Sequence, residues 1–230
     1  MKRSKRYEEM IKKVDRSKVY GVDEAVKLLK EAAKAKFDQT VSLTIKLGID
    51  PKKTEQAVRG IMMLPHGIGK VRVVAVVAKG DKLKEAKNAG ADFSGYTELI
   101  EEIGASKVKF DVLVATPDVM KDLGKLAKML GPKGLMPNPK SGTVTFELED
   151  AVKRLKAGET SFKSNDSAII NVIVGKVSFD EIKLKENVEA AIETVIKAKP
   201  VSAKGQYIKG IDLAPTMGPG LKISVPKTTA

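Results

Sequence analysis

Three kinds of hydrophobic pattern follow one another along the chain. Residues 22–35 repeat apolar side chains every three to four positions, with Val22, Ala25, Val26, Leu28, Leu29 and Ala32 on one side, which predicts an amphipathic helix. Asp23 and Glu24 in its first turn, and Lys34 and Lys36 at its end, complement the helix dipole. From residue 40 the period drops to two. Val41, Leu43, Ile45 and Leu47 alternate with Thr40, Ser42, Thr44 and Lys46, predicting a strand with one face on a core and the other open. The breakers at residues 64–69 read as a crossover. Residues 71–78 are then almost continuously apolar, as in a strand buried on both faces.

This third pattern persists through the middle of the chain. A helix is predicted at 81–89, closed by Gly90, then a short strand at 91–93, a helix at 97–103 and a buried strand at 112–116. Asp118 is placed to cap a helix running to Leu130. Strand and helix alternating in this way indicate parallel βαβ units with right-handed crossovers. Near residues 158–159 the pattern switches back, to a strand at 168–174, a helix at 187–198 and a last strand carrying Leu221, Ile223 and Val225. Neither flank makes a complete domain alone. The predicted architecture is therefore α/β and α+β in two domains: a discontinuous α+β domain from residues 1–68 and 160–230, and an inserted doubly wound (Rossmann-like) α/β domain at 69–159.

Composition narrows the chemistry. The 230 residues carry 42 Lys+Arg against 29 Asp+Glu, a formal net charge of +13, with 42% apolar residues. That is a folding composition with a polyanionic partner, either nucleic acid or an anionic membrane surface. No run approaches the ~20 apolar residues of a membrane span, and the basic start of the chain has no apolar region behind it, so no membrane role and no secretory signal are expected. Without Cys there is no disulfide framework and no thiolate metal site, and a cytoplasmic protein is expected. The outer pieces hold 26 Lys+Arg and 16 Asp+Glu, a net +10; the insert holds 16 and 13, a net +3. The polyanion is therefore expected on the discontinuous domain.

Catalytic motifs fail one by one. His66 is the only histidine and lies in the crossover, where a surface or hinge role fits better than catalysis. Gly69-Lys70 has Leu64 where a Walker A loop needs its first glycine, and Val71 where it needs Ser or Thr. Gly67-Ile68-Gly69 lacks the third glycine of a dinucleotide fingerprint and precedes a strand. Glu101 and Glu102 read as a solvated pair. No enzyme, cofactor or metal is expected.

Three loops carry more. Residues 130–140, Leu-Gly-Pro-Lys-Gly-Leu-Met-Pro-Asn-Pro-Lys, form a rigid turn with apolar Leu135 and Met136, and Lys133 and Lys140 in reach of phosphates. Residues 214–220, Ala-Pro-Thr-Met-Gly-Pro-Gly, are either a β-turn or a restrained loop that lets backbone approach a ligand. Lys36-Phe37-Asp38-Gln39-Thr40 leads into the half-polar strand, and on local pattern Phe37 fits a core position better than a stacking platform. Aromatics are scarce, 6 Phe, 4 Tyr and no Trp, which favours structured RNA met through phosphates, 2′-hydroxyls and shape over single-strand stacking.

Together with Ser161-Phe162-Lys163-Ser164-Asn165-Asp166, these loops resemble the family of large-subunit ribosomal protein one in its bacterial form, over essentially the whole chain. The resemblance implies a two-domain protein, monomeric within the ribosome, that binds large-subunit rRNA and builds the mobile stalk beside the exit site. It implies contact with exit-site tRNA, whose release in deacylated form it assists, and repression of its own operon by binding its mRNA. The implied RNA-binding residues are Lys36, Phe37, Thr40, Ser42, Lys46, Phe162, Asn165, Asp166, Thr216, Met217 and Gly218, and Arg3 and Lys5 are expected to add electrostatic attraction to the RNA. Lys163 and Ser164 depart from the pattern of some relatives. Two other readings compete: an α/β enzyme or small-ligand binder closing a cleft at the hinge, and a basic structural protein with unselective RNA affinity.

Overall fold

The computed structural model describes residues 4–15, 17–33, 35–51, 53–80, 82–105, 107–203 and 205–225. Along the chain, α1 (Lys5–Lys12) and α2 (Val22–Ala32) precede β1 (Thr40–Leu47) and β2 (Arg59–Met63). Then come β3 (Val74–Val77), α3 (Lys82–Asn88), β4 (Phe93–Gly95), α4 (Thr97–Gly104) and β5 (Val112–Ala115). Two short helices, α5 (Met120–Leu123) and α6 (Ala127–Leu130), lead to α7 (Leu148–Ala157), β6 (Glu159–Lys163) and β7 (Ile169–Lys176). The chain ends with α8 (Glu181–Lys197), β8 (Ile208–Pro215) and β9 (Leu221–Ile223). These elements gather into two compact units, Met1–Gly69 with Ser161–Ala230, and Lys70–Thr160.

The first unit is built on a four-stranded antiparallel sheet in the order β7-β1-β8-β9, beside a two-stranded ribbon of β2 and β6. The alternation in β1 is realised in full: Val41, Leu43, Ile45 and Leu47 are buried, while Thr40, Ser42 and Thr44 are half-buried and Lys46 is exposed. Buried residues of α2 (Ala25, Val26, Leu29) and α8 (Leu184, Val188, Ala191, Val195) belong to the same core as the inward side chains of the sheet. Helix α2 stops at Ala32 because Ala33 leaves helical geometry (φ −79°, ψ 56°). Helix α8 starts at Glu181, ahead of the expected residue 187, because Leu184 is the one buried side chain in its polar first half-dozen residues. Strand β7 starts at Ile169, since Ala168 has a left-handed φ of 58°.

The second unit holds a three-stranded parallel sheet in the order β4-β3-β5. Helices α3 and α7 cover one face through Ala86, Leu148, Val152 and Leu155. Helix α4 and the segment 117–130 cover the other through Leu99, Ile103, Val119, Leu123 and Leu130. A sheet covered on both faces explains why Val74, Ala75, Val76 and Val77 are all buried.

Three expected elements are corrected. Strand β3 does not begin at residue 71, where Val71 is 85% exposed. The short strand is Phe93–Gly95 instead of 91–93, because Asp92 serves as an acceptor for the Val74 amide. No single helix runs from Asp118 to Leu130. Pro117 opens a 3-10 turn with Thr116 at its N-cap, and a second 3-10 turn at Gly124–Leu126 parts α5 from α6. Within the second unit, the Arg72 guanidinium donates to Glu159 O at 2.6 Å and to Thr160 Oγ1 at 2.7 Å.

Candidate nucleic-acid interface

The best-defined cluster lies at one end of the four-stranded sheet, where β1 begins and β8 ends. Val41 pairs with Pro215, so the chain leaving β8 turns directly beside Thr40. The Thr216 hydroxyl donates to Thr40 O at 3.1 Å and accepts from Thr40 N at 3.1 Å, and Thr216 N also donates to Thr40 O at 3.0 Å. The next residue is held from the same side: Met217 N donates to Gln39 Oε1 at 2.9 Å, and Gln39 is buried. Gly218 N closes the turn onto Pro215 O at 3.2 Å. A side chain at Gly218 would stand 2.5 Å from Pro215 Cγ, so the turn requires glycine for space.

This fixed loop presents apolar groups to solvent. Met217 is 49% exposed and Phe37, two residues before Gln39, is 53% exposed. The core position favoured by the local pattern is thus corrected, because the chain from 35 to 39 is outside helix and strand and leaves Phe37 on the surface. Lys36 is exposed beside it. Asp38 is tied to the turn between β7 and α8 by accepting from Ser178 N and Ser178 Oγ, which anchors the segment that carries Phe37.

From this cluster the outer face of the sheet runs on as a polar surface. Ser42 lies between Ile173 and Ala214, Thr44 between Asn171 and Asp212, and Lys46 between Ile169 and Gly210. Ser42 Oγ donates to Ala214 O at 3.2 Å, and Thr44 Oγ1 donates to Asn171 Oδ1 at 2.9 Å. Asp212 in turn pairs with Lys222 on β9. Hydroxyls, an amide and lysines on this sheet face, with exposed Ile173 and the Asp212 carboxylate among them, can meet phosphates and 2′-hydroxyls over a broad, shallow contact.

The other expected residues are scattered. Asn165 and Asp166 are exposed in the β6–β7 turn, where Asn165 Oδ1 accepts from Ser167 N and Ile169 N. Ile169 pairs with Lys46, so this turn and Thr40 stand at opposite ends of β1, about 20 Å apart. Phe162 is corrected: it is only 4% exposed, with its ring packed on Gly60, and cannot offer that ring to a ligand. Lys5 is exposed on α1, and Arg3 lies outside the described residues. Gln39, Asn171 and Asp212 were not singled out from sequence. Gln39 could have been found only by noticing a polar residue before a strand whose inward positions are all apolar.

The crossover histidine is structural in its contacts. His66 N donates to Asn187 Oδ1 at 3.1 Å, and its ring pairs with Glu186 on α8. The described residues hold no group of three or more His, Cys, Asp or Glu able to bind a metal, and no helix among them is long and apolar enough to cross a membrane. The 130–140 loop packs Leu135 and Met136 against the second unit's core and leaves Lys133 and Lys140 exposed. The family model described as Ribosomal protein L1p/L10e family matches residues 29–219. That span contains Lys36 to Gly218, and with them the whole Thr40–Thr216 cluster.

Proposed function

The chain belongs to the ribosomal protein L1p/L10e family, and from that membership we propose that it grips large-subunit rRNA with Lys36, Phe37, Thr40, Ser42, Lys46, Thr216, Met217 and Gly218. Membership makes it a structural, rRNA-binding component of the large subunit, located at the ribosome in the cytoplasm. The finer reading is that residues 1–68 and 160–230 act as the gripping domain and residues 69–159 as an inserted arm. Bound in this way, the protein forms the mobile stalk at the exit site and assists release of deacylated tRNA. It represses its own operon by binding a similar structure in its mRNA, with Asn165 and Asp166 at the far edge of the same contact.

The observation that carries this reading is the pair of hydrogen bonds between the Thr216 hydroxyl and the Thr40 backbone, which sets exposed Met217 in place on a sheet face of hydroxyls and lysines. Preorganised backbone and apolar groups beside cations suit a folded RNA, because little ordering remains to oppose binding. The test is competition of a large-subunit stalk rRNA fragment, and of the operon leader, against tRNA and a random duplex at moderate salt. Selective retention of the stalk fragment and leader is expected. Equal binding to all four RNAs would leave only an unselective basic surface, and preference for a mononucleotide would favour a ligand-binding cleft.

A further inference from the structure

The chain leaves β3 and β5 for opposite faces of the three-stranded sheet. The first connection leads into α3, whose Ala86 packs on one face; the second leads to Val119 and Leu123, which pack on the other. Neighbouring parallel strands whose connections part like this leave a crevice beyond their carboxyl ends, the place where open α/β sheets take ligands. Two lysines lie over aromatic rings on this edge. Lys79 Nζ is 4.6 Å from the centre of the Tyr96 ring, and Lys82 Nζ is 4.1 Å from that of Phe146.

The two pairs are not equivalent. Asp122 accepts the Tyr96 hydroxyl at 2.5 Å and faces Lys79 Nζ at 3.7 Å, so the charge of Lys79 is balanced within the protein. Lys82 pairs with no carboxylate among the described residues, and Phe146 is 53% exposed. Beside them Gly80 has a left-handed φ of 62°, and a side chain built there would meet no atom within 4 Å, so backbone is open to approach. An ammonium held against an exposed ring offers a phosphate contact and a stacking face together.

We propose that this carboxyl edge is a second RNA-contact site that takes an unpaired nucleotide, with the phosphate on Lys82 and the base on Phe146. Its ligand class rests on the RNA-binding reading above; its position rests on the edge alone. A duplex would hide its base faces within the stack, whereas a loop or single-stranded nucleotide can turn one outward. Exposed Asp118 on the β5 side repels phosphate and directs the strand toward α3.

The full chain, isotope-labelled, would be titrated with a single-stranded oligouridylate while amide shifts are followed by NMR. Shifts at Gly80, Lys82 and Phe146 are expected, with at least a tenfold loss of affinity at that edge in Phe146→Ala and its retention in Phe146→Tyr, which keeps the ring. The same edge shifts should persist in a Phe37→Ala/Met217→Ala double variant, while binding of the stalk rRNA fragment falls. Persistence of the edge shifts with stalk-fragment binding unaffected would overturn the first site and leave the second standing. Shifts absent from the edge, equal affinity of Phe146→Ala and the parent chain, or edge shifts lost with the double variant would overturn the second site.

Discussion

At the scale of single residues, Thr216 joins positions 176 apart in sequence through both oxygen lone pair and proton. Replacing it with valine keeps the shape and removes both bonds, at about 1 kcal/mol for an exposed pair. Thr216→Val is therefore expected to weaken stalk-rRNA binding roughly 5- to 10-fold in a filter-binding or fluorescence assay. Lys128→Ala, on an exposed surface of the other unit, should change it less than twofold. Equal losses would deny the loop any special role. Asp111 gives a second residue-scale expectation. Its carboxyl is held below the ordinary range by the hydrogen bond from Lys70 Nζ, reinforced by the Val73 amide and by the nearby Lys70 and Arg72 charges, against a smaller opposing effect of burial. An acid lowered in the folded state adds stability above its unfolded value and loses it as pH falls through the folded value. Asp111→Asn should thus lower the melting temperature at neutral pH, and the gap to the parent should close in acid below the usual carboxylate range.

At the scale of elements, α8 does more than cover the sheet. Its Asn187 is fully buried and donates to Gly67 O at 3.0 Å and Val174 O at 2.8 Å while accepting from His66 N, tying the helix to the crossover and to β7. Asn187→Ala leaves those groups without their partner, at about 3 kcal/mol in total. Chemical denaturation should report that loss as a lower midpoint with an unchanged slope. Elements with an unbroken period, β1 and α2, were legible from sequence because every inward position is apolar. Strand β8 was not. A register shift opposite Lys46 and Leu47 turns both Ile208 and Ile211 inward although they are three apart, which interrupts the alternation at the start of the strand. Helix α7 was also passed over, although Leu148, Val152 and Leu155 keep helical spacing.

At the scale of the whole molecule, the charge of +13 divides unequally, and the first unit carries most of it. Lysines around a preset polar face bind RNA largely by releasing its counterions. If about 6–10 phosphates are met, affinity should fall roughly 10³–10⁵-fold between 50 and 200 mM salt. A salt titration of stalk-fragment binding reads the slope directly; tight binding that ignored salt would refute this electrostatic account. Inside the second unit, holding Arg72 against Glu159 and Thr160 has a cost. Burial lowers the basicity of Arg72 and raises the Glu159 carboxyl despite the nearby Arg154 and Arg72, so neither charge is fully at ease.

Sequence alone determined what local order can encode: the half-polar face of β1, the buried run of β3, the excess of basic charge toward the chain ends, and the Gly- and Pro-rich loops that identify the family. Each is a property of neighbours within a few residues, which periodicity and composition report faithfully. Only the tertiary structure decided which of those residues reach solvent. Phe37 and Phe162 are the same residue type in comparable polar surroundings, yet one is 53% exposed and the other 4%. The difference lies in Gly60, about a hundred residues from Phe162, whose missing side chain makes room for one ring, while Phe37 remains outside helix and strand. The pairing of Thr40 with Thr216 is of the same kind, since a hydroxyl finds its partner through the register of β1 and β8.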